Sequence, residues 1–518
     1  MNKTAIVILV AVIIAVGGAG IYYFKNQESV PEPVSRPEPI PTERTNYVVI
    51  VNSNSIFRSE AERFANNKKA ELLTYTQSFN EVTGKLKNEK PIYTAIFASP
   101  EELTPDFVDS IDLSLRDIDA DPYLDTAFGI ITSRNAVELK KYVNKLLNYI
   151  PPQRMKIYAV APKYTYRNLE PDFGIDITHH CLTNCGGQLC ICDDKNRATL
   201  SRVQDNIKDA NIFVINAHGA PSFIQLDNGE SIRGSTDGIY GANQQKLDLS
   251  HNAVLSIAES CTTGRINGKP NTIDTRYGDT DVTGQIDTSL VLSLLQSGTL
   301  NYLAATHVAI GAIDPEETLI EESFLQRIPI GIALKDLKNR YIMVTEKYKV
   351  AMPGSPANTD EFTKDFILFQ VRNWILFGDP SIVLSNEQYK PVSCIKSYTE
   401  EQVGNKKEVE IQVKFRSDRL VENSQYIDKM EKENVGQAWG QIGVGVCVVK
   451  IPYVGKLKNV EVASVSGVND RYQNGQYPAN AFYQDLGGEI FVQVPWYVAI
   501  GGMGHKEPII LNYEIITE

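Results

Sequence analysis

Two short apolar segments, each ending in a reactive side chain, most constrain the fold of this chain. They are residues 211–219 (NIFVINAHG) and residues 253–264 (AVLSIAESCTTG). Their length and their β-branched content are typical of buried parallel strands. Because ligands of open α/β sheets bind beyond the carboxyl ends of the strands, we expect His218 and Cys261 to face one cleft. The two segments therefore predict a Cys/His nucleophilic site.

The chemistry of such a site needs a base beside the thiol. The imidazole accepts the thiol proton and later donates a proton to the leaving amine. A glycine after the histidine lets a substrate approach the backbone, so the N–H groups of Gly219 and Cys261 are predicted to stabilise an oxyanion. Taken singly, a buried cysteine or a hydrogen-bonded histidine has an ordinary structural explanation. Their joint position at two strand ends favours the catalytic interpretation.

Strand and helix patterns alternate between residues 46 and 384, which predicts a doubly wound α/β region. Strands are predicted at 47–51, 92–97, 157–161 and 300–310, and helices at 59–76, 135–149, 288–296, 316–325 and 332–348. No glycine-rich phosphate loop is present in this region of the sequence, so nucleotide binding is not expected.

The two segments resemble the shared pattern of the caspase-like cysteine peptidases, a group that includes caspases, legumain, clostripain and gingipains. In that group one strand ends in His-Gly, and a second ends in an acidic or amide residue, a small residue and Cys. Here the segments read AHG at 217–219 and ESC at 259–261. Two further stretches resemble gingipain-type peptidases, WILFGDPSIVL at 374–384 and YLDTAFGIITS at 123–133. Ile130 stands where that family usually has Arg, and the insertion between His218 and Cys261 is longer than expected.

The resemblance implies an α/β fold with a caspase-like parallel-sheet catalytic region of two subdomains, over residues 46–165 and 166–388. It implies a cysteine endopeptidase that acts on proteins or peptides, with Cys261 as nucleophile and His218 as acid and base. It also implies that residues at the end of the strand at 300–310 shape the substrate pocket. The residues expected to face substrate are Glu259, Thr306, His307 and Gly311. Alternatively, Glu259 is a buried strand residue paired locally and His307 is an ordinary strand residue.

Four cysteines lie within twelve residues at 181–192, directly after two histidines. Two local disulfides that hold a loop would explain them, and so would a structural zinc site. The spacing C-x3-C-x4-C-x-C matches no common zinc module, which favours disulfides. The disulfide candidates, with the two remaining cysteines outside Cys261, are Cys181, Cys185, Cys190, Cys192, Cys394 and Cys447.

A loop rich in Gly, Asn and Asp follows Cys261. Asp274, Asp279 and Asp281 could supply the oxygen ligands that calcium prefers, and gingipain-like enzymes often carry calcium. The spacing is not that of an EF-hand, and such loops are also ordinary turns. The cysteine chemistry itself requires no cofactor.

The first 45 residues predict a membrane attachment. Residues 5–24 form an uncharged, almost wholly apolar run, long enough for a transmembrane signal anchor within residues 1–25. Five prolines between residues 31 and 41 predict an extended stalk at 26–45. We therefore expect a single-pass protein whose bulk is extracytoplasmic, or a secreted protein if the segment is cleaved. The net charge of −12 argues against nucleic acid as a partner.

Residues 389–518 contain short alternating strand patterns, which predict a C-terminal β-sandwich. The resemblance to gingipain-type peptidases implies that this sandwich is immunoglobulin-like. Taken together, the sequence favours an extracytoplasmic, membrane-anchored cysteine endopeptidase. The alternative is a non-catalytic cell-surface binding or adhesion protein on the same scaffold, in which the Cys/His cluster binds metal. Residue preference before the cut and oligomeric state are not predicted.

Overall fold

Ten strands form one sheet at the centre of the computed structural model. They are β1 (Tyr47–Asn52), β2 (Glu71–Tyr75), β3 (Tyr93–Phe97), β4 (Ala127–Ile131), β5 (Lys156–Val160), β6 (Asp176–His180), β7 (Ile212–Asn216), β13 (Leu255–Glu259), β14 (Asn301–Ala305) and β15 (Trp374–Phe377). Their order across the sheet is β2-β1-β3-β4-β15-β14-β13-β7-β5-β6. All neighbouring strands are parallel except β14 and β15. The predicted α/β fold with a largely parallel sheet is thus observed.

The structure describes the chain in segments. These are residues 47–161, 175–182, 196–248, 253–272, 282–309, 315–325, 327–348, 368–385, 395–413, 444–455, 457–466, 483–485, 489–497 and 509–517. The predicted membrane helix and stalk, residues 1–45, lie outside them. Within these segments no helix is long and apolar enough to cross a bilayer.

The central strands of the sheet are buried along their whole length, as expected where helices pack against a parallel sheet. The helices are α1 (Arg58–Lys68), α2 (Thr83–Glu89), α3 (Pro105–Arg116), α4 (Ala136–Leu147), α5 (Leu200–Ile207), α6 (Leu290–Ser297), α7 (Pro315–Thr318) and α8 (Ile330–Tyr348), with 3-10 turns at Phe79–Val82, Asp227–Gly229 and Ile286–Thr288 and a π-helical turn at Leu319–Leu325. Side chains cap several of them: Thr104 accepts a hydrogen bond from the N–H of Phe107 at the start of α3, and Asn135 caps α4.

One predicted helix is wrong in its second half. The sequence predicted a helix over 59–76, but α1 ends at Lys68 and the chain enters β2 at Glu71. Lys69 adopts a left-handed conformation with φ 53°, and its N–H returns to the carbonyl of Ala65, which closes the helix. Because no glycine marks this stop, the sequence pattern continued past it.

A second, smaller sheet fills the insertion between His218 and Cys261. Its strands are β8 (Gly219–Ala220), β9 (Phe223–Gln225), β10 (Ser231–Ser235), β11 (Gly238–Gly241) and β12 (Lys246–Leu247), in the order β12-β11-β10-β9-β8. All their pairings are antiparallel. Arg134 ties this sheet to the main body, because its guanidinium donates to the carbonyls of Ser235 and Ile286 and to the Ser293 hydroxyl of α6. The sequence indicated the insertion but not its strands.

The described residues beyond 394 contain strands and no helix, as the sequence predicted for this region. One sheet has the order β16-β17-β22-β19, and a second has the order β18-β21-β20. These strands are β16 (Ile395–Val403), β17 (Lys406–Val413), β18 (Val444–Pro452), β19 (Leu457–Ser466), β20 (Tyr483–Asp485), β21 (Glu489–Tyr497) and β22 (Ile509–Thr517). The face-to-face packing of a β-sandwich stays a prediction.

The two predicted subdomains share the ten-stranded sheet and meet at β15. Phe377 of this strand pairs with Ile130 of β4, while its other edge runs antiparallel to β14. The backbones come close there, because a Cβ on Gly129 would lie 2.4 Å from the carbonyl oxygen of Gly378. Ile130, the position that departs from the gingipain pattern, is fully buried. The boundary predicted at residue 165 stays a prediction, although β5 lies in the second half of the sheet, between β7 and β6.

A buried ion network lies between α3 and α8. Asp112 is fully buried, its carboxylate is 2.7 Å from Arg116 and 3.0 Å from Lys338, and Lys338 also lies over the ring of Phe128. Burial by itself would raise the pKa of Asp112, but the charges of Arg116 and Lys338 prevail and lower it to about 2. The ionised carboxylate therefore stabilises the fold above its unfolded pKa of ~3.9, and this contribution is lost as the pH falls through about 2.

Replacing Lys338 with methionine tests this network. Lys338→Met removes one of the cations that compensate the buried Asp112 carboxylate, so the free energy of unfolding in urea should fall by about 3 kcal/mol at pH 7. Arg58→Met is the control, because it breaks an ion pair with Glu62 whose side chains are 50% and 44% exposed. That change should cost less than ~1 kcal/mol. Equal losses for the two variants would contradict a structural role of the network.

Candidate active site

The pairing of β7 with β13 brings the two predicted reactive residues together. The strands are parallel neighbours, and their last paired residues are Asn216 and Glu259. His218 and Cys261 each follow two residues later, so continuation of the register puts them at the same level. Since paired strands lie ~4.8 Å apart, the two side chains leave the sheet from adjacent positions. The expectation that they share the carboxyl edge of the sheet agrees with this register.

Direct backbone contact joins the two strand ends. A Cβ on Gly219 would lie 2.8 Å from the Cβ of Ser260, 2.6 Å from a methyl group of Thr263 and 3.3 Å from the carbonyl oxygen of Cys261. Real Cβ atoms do not approach other atoms so closely, so only glycine fits here without a shift. The residue after the histidine therefore packs directly against the turn that carries the cysteine.

Both reactive side chains reach the surface. His218 is exposed and Cys261 is partly buried. The carbonyl of His218 accepts a hydrogen bond from the N–H of Gln225, which anchors the histidine backbone to the small sheet. The Cys261 thiol lies 3.4 Å from the carbonyl oxygen of Ala309, to which it donates. Each group is thus accessible and held by a different part of the chain.

The turn after Cys261 is strained and fixed. Thr262 has φ 52°, an uncommon conformation for a β-branched residue, and its side chain is buried. Its N–H donates to the carbonyl of His307 at 2.9 Å, and the N–H of Gly264 donates to the carbonyl of Ala305 at 2.7 Å. The turn is therefore attached to the end of β14, and this attachment compensates the strain.

Thr306 and His307, predicted to face substrate, lie beneath this turn. They are 2% and 0% exposed. The Thr306 N–H donates to the backbone carbonyl of Asn373 and the His307 N–H to the amide oxygen of its side chain. The imidazole Nε2 of His307 is 2.9 Å from a carboxylate oxygen of Asp109. These contacts support the cysteine turn from behind, and a direct substrate contact of either residue stays a prediction.

Glu259 is 5% exposed and is the last residue of β13. One of its carboxylate oxygens accepts a hydrogen bond from the N–H of Glu316 at 3.0 Å, at the start of α7. This contact agrees with the second interpretation of Glu259, a buried strand residue paired locally. Its substrate role stays a prediction, as do the oxyanion contacts of Gly219 and Cys261. Gly311 lies outside the described residues.

Most of the predicted disulfide and calcium residues also lie outside them. These are Cys185, Cys190, Cys192 and Cys394, with Asp274, Asp279 and Asp281. Cys181 follows directly after β6, so the two histidines before it are strand residues rather than part of a loop. A disulfide at Cys181 stays a prediction. The pairing within the cluster, and that of Cys447, stay predictions.

A group of three carboxylates that the sequence did not single out lies before β4. Oxygen atoms of Asp119, Asp121 and Asp125 lie within 4.8 Å of one another. Burial raises the pKa of Asp125 to about 8, and the charges of Asp119 and Asp121 add to this shift. Carboxylates are ligands that calcium accepts, and within the described segments no other such group of His, Cys, Asp or Glu was found.

Three residues that hold the site were missed by sequence reasoning. Asp109 binds His307, Asn373 binds the backbone of residues 306–308, and the fully buried Arg265 donates to the carbonyl of Thr306 at 3.2 Å. None lies near both reactive residues in sequence. The available signal was the polarity of Arg265 and Asn373 beside apolar strands, because buried polar groups require partners.

Comparison with known proteins gives a distant structural likeness. No family model and no curated protein matches the chain. Among solved structures it is similar to the crystal structure of gingipain R, described as an Arg-specific cysteine proteinase. The match covers 71% of this chain and 85% of that chain, at 14% sequence identity and a TM-score of 0.43. A likeness of this degree assigns neither an activity nor site residues to this chain.

The contact at Gly219 can be tested by adding one methyl group. Gly219→Ala forces the two strand ends apart, so we expect a loss of about 1–3 kcal/mol in the free energy of unfolding and a changed alkylation rate of Cys261. Gly84→Ala is the matched control, because its Cβ would meet no atom within 4 Å and it lies in helix α2. That variant should be neutral or slightly stabilised. An unchanged Gly219→Ala protein would contradict the close contact.

The raised pKa of Asp125 predicts a pH-dependent stability. The folded chain holds this proton more tightly than the unfolded chain, so stability falls as the pH rises from ~4 to about 8. The side chain in Asp125→Asn cannot ionise. The thermal midpoint of the variant minus that of the parent should therefore increase by about a degree or two from pH 5 to pH 8. Asp205→Asn, an exposed residue of α5, should show no such trend. Parallel pH curves for parent and Asp125→Asn would contradict the prediction.

Proposed function

We propose that this chain is a cysteine endopeptidase in which Cys261 is the nucleophile and His218 the general acid and base. The observation that carries the proposal is the register of β7 and β13. Asn216 pairs with Glu259, and His218 and Cys261 each follow two residues later. Nucleophile and base from neighbouring strand ends form the arrangement that covalent catalysis needs. The surface accessibility of both side chains supports it further.

The reaction would begin with transfer of the Cys261 proton to His218. In the present conformation the thiol donates to the Ala309 carbonyl, and this hydrogen bond breaks when the proton moves. The thiolate attacks the scissile carbonyl carbon, and the N–H groups of Gly219 and Cys261 hold the resulting oxyanion. The imidazolium of His218 protonates the leaving amine, which leaves a thioester on Cys261. His218 then takes a proton from water, and the hydroxide attacks the thioester carbonyl. The C–S bond breaks with release of the acid, and the imidazolium of His218 returns its proton to the Cys261 thiolate.

The rigid support of the cysteine favours this role. Catalysis requires the reacting groups to be held in place before substrate arrives, because ordering them during the reaction costs free energy. The Thr262 turn is attached to β14, and His307 beneath it is held by Asp109 and Asn373. An ordinary buried cysteine would not need this degree of fixation.

The setting of the enzyme is also proposed. The apolar run at 5–24 and the prolines that follow support a single-pass, membrane-anchored protein whose catalytic region is extracytoplasmic. Disulfides within the cysteine cluster at 181–192 would fit an oxidising compartment. Protein or peptide substrates follow from the reaction, and calcium at residues 274–281 is proposed from the acidic sequence alone.

A non-catalytic binding or adhesion protein on the same scaffold is the second candidate. The observation in its favour is that the Cys261 thiol donates to the Ala309 carbonyl in this conformation. Metal binding by the cluster that begins at His179 has less support, because the spacing of its cysteines matches no common zinc module.

Cleavage of a mixed peptide library distinguishes the two candidates. The full chain is assayed in the presence and in the absence of calcium, and it should cleave the library in at least one of these two conditions. Cys261→Ala and His218→Asn should each lose at least ~1,000-fold in kcat/KM. His179→Asn is the matched control, because this exposed histidine of β6 should leave the rate unchanged. Cleavage that survives Cys261→Ala, or no cleavage together with resistance of Cys261 to iodoacetamide, would contradict the peptidase proposal.

A further inference from the structure

One row of side chains crosses the small sheet from β8 to β12. The pairings Ala220 with Phe223, Phe223 with Arg233, Arg233 with Tyr240, and Tyr240 with Lys246 place these residues side by side on successive strands. Residues paired in this way share one face of a sheet. We call Phe223, Arg233, Tyr240 and Lys246 the cross-strand row.

The row lies on the solvent face of the small sheet. Phe223, Arg233 and Lys246 are exposed and Tyr240 is half-buried. The opposite face carries the buried side chains Ile224, Ile232, Ile239 and Leu247. Alternation along each strand separates the two faces, as expected for an antiparallel sheet with one side in water. The exposed side thus carries two aromatic rings and two cations where the buried side carries aliphatic groups.

Internal hydrogen bonds orient the polar members of the row. The Tyr240 hydroxyl donates to Asp237 at 2.6 Å, and the Lys246 ammonium donates to the Asp237 carbonyl at 2.8 Å and lies 3.9 Å from its carboxylate. Asp237 therefore balances the charge of Lys246. The Nε of Arg233 donates to the Ser231 hydroxyl at 2.9 Å, which directs the end of the guanidinium away from the backbone.

Arg233 is thus the charge that a ligand on this face meets. Its two terminal nitrogens have no hydrogen-bond partner among the described residues, and a guanidinium fork binds a carboxylate through two parallel N–H bonds. The ring of Phe223 lies on the neighbouring strand and offers apolar contact beside it. The chain has a net charge of −12, so the positive charge of this row is opposite in sign to the net charge of the protein.

The row begins beside the candidate active site. Ala220 of β8 pairs with Phe223, the first residue of the row, and lies two residues after His218. The five strands from β8 to β12 span ~19 Å at the usual strand spacing. An extended polypeptide of about six residues spans this distance. One chain can therefore contact the row and reach the Cys261 and His218 pair.

We propose that the cross-strand row binds an acidic segment of the polypeptide substrate, outside the residues next to the cut bond. The proposal rests on the proposed peptidase function insofar as the bound segment belongs to a substrate. Arg233 pairs with a carboxylate of the segment, Phe223 and Tyr240 contact its apolar parts, and Lys246 adds a second, partly balanced charge.

Peptide binding tests the row without requiring cleavage. The full chain carrying Cys261→Ala is titrated with a fluorescein-labelled peptide of about twelve residues that alternates Glu and Ala, and with its Gln counterpart. The Glu peptide should bind more tightly, and Arg233→Gln should weaken its binding about three- to fivefold, the effect expected of an exposed charge pair. Arg154→Gln, which removes an exposed arginine before β5, is the matched control and should leave binding unchanged.

Arg233→Lys adds a test of the geometry. This variant keeps the charge but loses the fork, so its affinity should fall between those of Arg233→Gln and the parent. Equal affinities of the Glu and Gln peptides, or equal losses in Arg233→Gln and Arg154→Gln, would overturn the proposal. Thermal midpoints of all variants should agree with that of the parent, since these side chains lie on the surface.

Cleavage kinetics separate this proposal from the proposed function. In the parent, an acidic extension on a cleaved peptide should lower KM about threefold with kcat unchanged, and Arg233→Gln should abolish the difference. If the Glu peptide binds through Arg233 but no peptide is cleaved, the binding face stands and the peptidase proposal fails. If peptides are cleaved but the acidic extension does not change KM, the peptidase proposal stands and the proposed binding face fails.

Discussion

The parallel pairing of β7 with β13 sets the position of both reactive side chains. Both strands are buried on both faces, so an alternation of apolar and polar residues does not fix their register. The ends fix it instead. At the start, the Asn211 carbonyl accepts the N–H of Val254, and its side chain accepts the N–H of Lys156. At the other end, Gly219 fits only against the cysteine turn, so a shift of one residue would break contacts at both ends and separate His218 from Cys261.

Support for the cysteine comes from parts of the chain that are far apart in sequence. Asp109 reaches His307 across 198 residues, and Asn373 reaches it across 66. Asp109 holds the imidazole of His307 and Asn373 holds its backbone, and the His307 carbonyl accepts the N–H of the strained Thr262 turn. Buried polar groups of this kind are stable only when each has its partner, so the arrangement forms as a unit. The position of Cys261 thus depends on groups that are far from it in sequence.

The sequence predicted what local patterns encode. Apolar runs located the strands of His218 and Cys261, and their shared sheet edge followed from the general rule for α/β folds. The strands of the small sheet are two to five residues long, too short for a periodic signal, and were missed. The support role of His307 was missed because it depends on Asp109, and no local pattern predicts a contact at that separation. The stop of α1 at Lys68 was missed because a lysine took the left-handed position that glycine usually occupies.

The position of β15 has a consequence for synthesis of the chain. Strand β4 has β3 on one side and β15 on the other, and β15 is made about 240 residues after β4. At ~5–20 residues per second, the ribosome needs about 10 to 50 s to cover that distance. During this time the open side of β4, with its apolar sequence AFGII, is the edge of a partial sheet and can pair with other nascent chains. Because the sheet combines early and late segments of the chain, an aggregation-prone strand edge is exposed before synthesis is complete. We expect the yield of folded protein to depend on translation speed and on chaperones.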